Sequence, residues 1–115
     1  MGTSAQRDYI ERRIFTRRLV NAMVRLTHGA IGNVKARTRD ISDSGVYVEV
    51  FPVPKLPVGS HVKMNLLDSP QPEIEFNMKV ARVESDGLGL MFIDYEVDGE
   101  RFSIDNLRQQ FRNKL

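Results

Sequence analysis

The sequence has no cysteine and no tryptophan. The first absence excludes disulfide scaffolds and thiolate metal sites, and it allows a reducing compartment. The second removes the strongest stacking platform that a single-strand nucleic-acid binder would use. No apolar run approaches the roughly 20 residues that a membrane-crossing helix needs. The opening "MGTSAQRD" lacks the apolar core of a signal peptide, so a cytoplasmic location is expected. Net charge is also scarce: 17 Lys and Arg against 15 Asp and Glu leave a formal +2. Proteins that coat long nucleic acid usually carry a broader positive excess. The positive charge here is local, which points to a small anion and away from a polymer.

What is present reads as one globular domain. Hydrophobic residues make up 41% of the 115, enough to bury a core. Alternation dominates the pattern. Val20, Ala22, Val24 and Leu26 share one parity, as do Val34, Ala36 and Thr38, and each set predicts a half-buried strand. "VYVEV" is a β-branched strand, and "HVKMNLL" turns Val62, Met64 and Leu66 to one face. In "EIEFNMKVARVE", Ile74, Phe76, Met78 and Val80 keep parity until Val83 breaks it, which predicts a bulge or twist near Ala81. "LGLMFIDYE" gives a last strand with Leu88, Leu90 and Phe92 inward. "FPVPKLPVG" and "DSPQP" are too rich in proline for central strands and separate these runs. Six strands joined by short turns predict an all-β fold, a six-stranded antiparallel barrel, because closure removes exposed edges. The barrel is expected over about 19–95. From Ser103 onward, Ile104, Leu107, Phe111 and Leu115 fall at helical spacing behind a serine that can cap. That pattern predicts a C-terminal helix over about 103–114.

Two stretches exceed what such a fold requires. In "ERRIFTRRLV", Arg12, Arg13, Arg17 and Arg18 crowd ahead of the first apolar run. Like charges four apart on a helix repel by roughly 0.2–0.5 kcal/mol per pair. Arg13 and Arg17 share a face, and paired guanidiniums match phosphate oxygens or the O6/N7 edge of guanine. In "DISDSG", Asp40 and Ser42 point the same way, and Gly45 allows close backbone approach where the chain turns into the next strand. A carboxylate beside a hydroxyl can accept from guanine N–H groups or hold an arginine.

Together these residues resemble the PilZ domain family of bacterial cyclic di-GMP receptors, whose signature is an RxxxR segment followed by a [D/N]xSxxG turn. Arg13-Ile14-Phe15-Thr16-Arg17 and Asp40-Ile41-Ser42-Asp43-Ser44-Gly45 supply both motifs complete, and "GLGLMFIDYE" is similar to the family's closing strand. The resemblance covers roughly residues 11–95. It implies a flexible leader over 1–10 and a single PilZ domain over 11–115, with an N-terminal arm that folds over the nucleotide. Arg13 and Arg17 would grip phosphate and guanine, Asp40 and Ser42 would contact the base or its sugar-phosphate, and Gly45 would keep the turn tight. Arg12, directly before the RxxxR segment, resembles the pattern of receptors that take an intercalated ligand dimer, so one molecule or a dimer is open. The implied protein is a non-enzymatic receptor with no cofactor. It would change conformation on binding and signal to an effector protein in motility, exopolysaccharide or adhesion pathways. Two alternatives stand beside it: a motif-bearing PilZ-fold adaptor, and a small barrel for single-stranded nucleic acid.

Plainer readings cover the other polar residues. Asp43 and Ser44 suit a turn. Arg37, Arg39 and Arg82 read as solvent-facing strand residues, although the resemblance puts their strands near the pocket. His28 and His61 are isolated, so neither a metal site nor a Ser42–His61–Asp40 triad is expected. The methionines read as core or barrel surface.

Overall fold

The structure, a computed structural model, describes residues 21–42, 44–68 and 73–105 of the chain. The expected strands form: β1 (Met23–His28), β2 (Gly32–Ile41), β3 (Gly45–Glu49), β4 (His61–Leu66), β5 (Glu75–Val83) and β6 (Gly87–Val97). They lie antiparallel in the order β3-β2-β1-β4-β5-β6, and a further β3–β6 pairing closes the sheet into a six-stranded barrel. The proline-rich loop between β3 and β4 falls outside the sheet, as its composition requires.

Inward parity follows the sequence. Val24, Leu26, Met64, Leu66, Phe76 and Met78 are almost wholly buried. Each such side chain stabilises the fold by about 1.5–3 kcal/mol relative to exposure. Phe76 meets Phe92 edge-on at 5.9 Å between ring centroids. Among the described residues, two polar side chains share this interior, and both are satisfied. Thr38 Oγ1 accepts the Ala22 N–H at 2.8 Å, and Asn65 Nδ2 donates to the Ile74 carbonyl at 3.1 Å.

Three bulges interrupt the ladder. Arg39 is the extra residue of β2, since Thr38 pairs with Val48 and Asp40 already with Tyr47. Ala81 is the extra residue of β5, where parity had broken, and Ile93 is that of β6. A bulge inverts the parity of the residues beyond it. Thr38 and Val80 therefore stay in the core, while Asp40 and Arg82, two residues further on, are exposed.

Alternation did not reveal a seventh strand. β7 (Glu100–Ser103) pairs with β6 and extends the sheet beyond the barrel. Asp98 and Gly99 both take positive φ, at 53° and 81°, which is the two-residue turn that Asp-Gly favours. The chain from 98 to 102 is thus a hairpin, placed before the expected helix over 103–114. Ser103 Oγ accepts the Asp105 N–H at 3.1 Å and Ile104 is buried. The remainder of that helix lies outside the described residues, and among these no helix is complete.

Candidate functional site

The "DISDSG" segment forms the turn between β2 and β3. Ser42 N–H donates to the Gly45 carbonyl at 2.9 Å. Ser42 Oγ accepts from the N–H groups of Ser44 and Gly45, each at 3.3 Å. The turn is pinned to the opposite strand by the Phe92 N–H, which donates to the Ser44 carbonyl at 3.0 Å. Glycine is required at position 45 because a Cβ there would stand 2.2 Å from the Leu90 carbonyl oxygen. Turn chemistry therefore accounts for Ser42 and Gly45. It does not account for Asp40. That side chain is 78% exposed, and among the described residues its carboxylate meets only Arg39 Nε, at 3.4 Å.

The register carries the corner across the outside of the barrel. Asp40 pairs with Tyr47, Tyr47 with Gly89, and Gly89 with Arg82. This outward row runs over β2, β3, β6 and β5, and it floors an open depression of about 250 Å³ lined also by Ser42, Ser44 and Gly45. Ordinary small-molecule pockets hold roughly 300–1,000 Å³. The barrel alone thus supplies part of a site.

Tyr47 is the centre of the row. It lies on the outer face, between the core residues Val46 and Val48, and yet is only 4% exposed. Its cover is cationic: the Arg39 guanidinium stands 4.4 Å from the ring centroid and that of Arg82 5.3 Å. The tyrosine hydroxyl donates to Asp86 Oδ1. Burial first, then this hydrogen bond, pushes the phenol up to about 12. The bond from Tyr47, reinforced by Arg39, holds the Asp86 carboxyl below its ordinary range. Arg39 is spread over three carboxylates: Glu49 at 2.8 Å, Asp86 at 3.3 Å and Asp40. Its guanidinium is raised chiefly by the hydrogen bond to Glu49. Arg39 and Arg82 are exposed, as expected, and both also pack on the tyrosine.

Of the residues singled out in the sequence, the structure brings Asp40, Ser42 and Gly45 to one depression. Arg12, Arg13 and Arg17 lie outside the described residues. Sequence reasoning did not single out Tyr47 or Asp86, and it read Arg82 as a solvent-facing residue on a strand near the pocket. The parity break after Val80 already placed Arg82 outward, and no signal in the sequence put its guanidinium over the Tyr47 ring. A second depression, of about 490 Å³, is lined by His28, His61, Lys63, Asn77, Asp94 and Arg101, among others. There Asn77 and Arg101 already bind the Asp94 and Glu96 carboxylates. Among the described residues no group of His, Asp and Glu could hold a metal ion, and no helix is long and apolar enough to cross a membrane.

A closed six-stranded antiparallel barrel with a polar turn opening onto its outer wall defines a small binding module. The family model for the PilZ domain matches residues 11–109. With most of the chain covered, the protein belongs to the PilZ domain family, a family of cyclic di-GMP-binding domains and not a known family of enzymes. No curated protein matches the chain.

Proposed function

We propose that this protein is a receptor for cyclic di-GMP that closes its N-terminal segment over the Asp40–Ser42–Gly45 corner and signals through the remodelled surface to a protein partner. The observation that carries the reading is the position of Asp40. An exposed carboxylate stands on the outer wall at the mouth of a partial pocket, and among the described residues its one ion pair is a long 3.4 Å contact with Arg39, which Glu49 and Asp86 also hold. Such a group suits the N1–H and N2–H edge of guanine, two parallel donors that a carboxylate accepts together.

Charge balance supports the same reading. Among the residues that line the depression, the charged ones are Asp40 and Arg82, one of each sign. A ligand with two phosphates needs cations from elsewhere in the chain. Arg13 and Arg17, with Arg12 beside them, are the supply that the sequence offers. Ser42 would meet the sugar-phosphate through the face of its hydroxyl turned from the turn, and Gly45 would keep the backbone close.

Isothermal titration with cyclic di-GMP tests the proposal on the parent, Arg17→Ala and Asp40→Ala. Removing one partner of a buried charged pair costs about 2–5 kcal/mol, about thirtyfold or more in affinity. Both variants should bind far more weakly with an unchanged melting temperature. Parent-like affinity in either removes that residue from the site, and a parent that does not bind removes the function. The molar ratio of the same titration separates one ligand from a dimer.

A further inference from the structure

We infer that Arg82 is a further ligand-binding residue of this pocket, the phosphate contact supplied by the barrel wall itself, with Gly89 as the residue that positions it. The inference rests on the cyclic di-GMP reading above. It begins from the bulge at Ala81, which turns Arg82 outward where strict alternation would have buried it. Once outside, the side chain folds back along the barrel wall. It lies back across Gly89 on the neighbouring strand, toward Tyr47 and the mouth of the pocket. A Cβ at Gly89 would stand 2.7 Å from Arg82 Cγ and 2.8 Å from Nε. The missing side chain at position 89 is thus the bed in which the arginine rests.

Three features suit it to an anion. Its side chain remains 62% exposed, so the guanidinium stays accessible, and its one ion pair among the described residues is a long 3.4 Å contact with Glu84. Arg39, by contrast, is shared among three carboxylates. The contact with the Tyr47 ring limits the arginine's rotamers and so reduces the ordering cost of binding. Position is the third. Asp40 and Arg82 stand at opposite ends of the row, three inter-strand steps of about 4.8 Å or about 14 Å apart across the strands. The arginine reaches back over part of that span. A purine nucleotide laid along the row with its guanine edge at Asp40 presents its phosphate toward Arg82.

The test is a titration of the full chain with cyclic di-GMP, at low and high salt, on the parent, Arg82→Ala, Arg82→Lys, Gly89→Ala and the Arg82→Ala/Gly89→Ala double variant. Loss of a hydrogen bond to a charged group predicts about ten- to a hundredfold weaker binding by Arg82→Ala, with less dependence on salt. Arg82→Lys should recover part of the loss. Gly89→Ala displaces a flexible side chain and no backbone, so its melting temperature should hold while affinity falls. In the double variant it should add nothing to Arg82→Ala, because both act through one guanidinium. A parent that binds beside an Arg82→Ala that binds equally well overturns this inference and leaves the wider reading intact. Were Arg82→Ala to unfold, parent-like affinity in Gly89→Ala would overturn it instead. A parent that fails to bind overturns both.

Discussion

Substituting Gly45 by alanine tests whether the glycine of the turn is fixed by backbone approach. Its Cβ would stand 2.2 Å from the Leu90 carbonyl oxygen and 3.4 Å from the Met91 Cα. Ordinary contact would require β3 and β6 to separate by about 1 Å, and overpacking of that order costs typically 1–3 kcal/mol. Gly45 and Met91 form the end pair of the β3–β6 ladder. Release is therefore available by opening that pair alone, at the cost of the Phe92-to-Ser44 bond at 3.0 Å. That route sets the lower bound, about 1 kcal/mol for one hydrogen bond. A domain of this size has roughly 6–17 kcal/mol in total, so the variant still folds. Its melting temperature should fall by about 4–12 °C, with an unchanged urea m-value. Gly89→Ala is the control, since it carries the same change in unfolded-chain entropy but meets only the flexible Arg82 side chain. Melting of Gly45→Ala within about 2 °C of the Gly89→Ala value would refute the reasoning, because the two glycines would then be equivalent.

Further outcomes concern the polar groups. Thr38→Val should lower stability by about 1–3 kcal/mol in urea unfolding, since the buried Ala22 N–H loses its 2.8 Å acceptor. Tyr47→Phe should alter the alkaline limb of stability. The folded phenol is raised to about 12, so its contribution is complete below the unfolded value near 10 and is lost as pH rises from there toward 12. Melting curves across that window should fall more steeply for the parent than for the variant. The acid limb runs the other way. Asp86 is held below its ordinary range by Tyr47 and Arg39, so its contribution is present at neutral pH and is lost as pH falls through the depressed folded value. Asp86→Asn should flatten that loss.

Alternation made the barrel legible because six strands each bury one face, and a period of two survives without tertiary knowledge. It marked Val24 and Leu26, Met64 and Leu66, and Phe76 and Met78 correctly as core. It passed over β7 because "VDGERFS" places Phe102 alone among polar residues, with no partner at the same parity. The Asp-Gly pair at 98 and 99 was the usable signal, a turn in search of a second strand. At the site, the corner was legible as a motif, whereas Tyr47 was not. A tyrosine in "VYVEV" looks like the solvent side of a half-buried strand, and only two arginines from β2 and β5 make it an interior residue of the surface.

Both polar ends of the outer row owe their position to the same device. Had β2 and β5 kept strict alternation, Asp40 would follow Thr38 into the core and Arg82 would follow Val80. Burying an unpaired charge costs several kcal/mol, so neither residue could persist there. The extra residues Arg39 and Ala81 reverse both strands on either side of β3 and β6, the pair that closes the barrel. Closure and site are therefore coupled. The two bulges add twist where the sheet bends round to meet itself, and they also turn a carboxylate and a guanidinium onto the outer wall over Tyr47. A variant that removed Arg39 or Ala81 should lose the pocket and the curvature together, whereas truncating Asp40 or Arg82 beyond Cβ should remove the charge and spare the barrel.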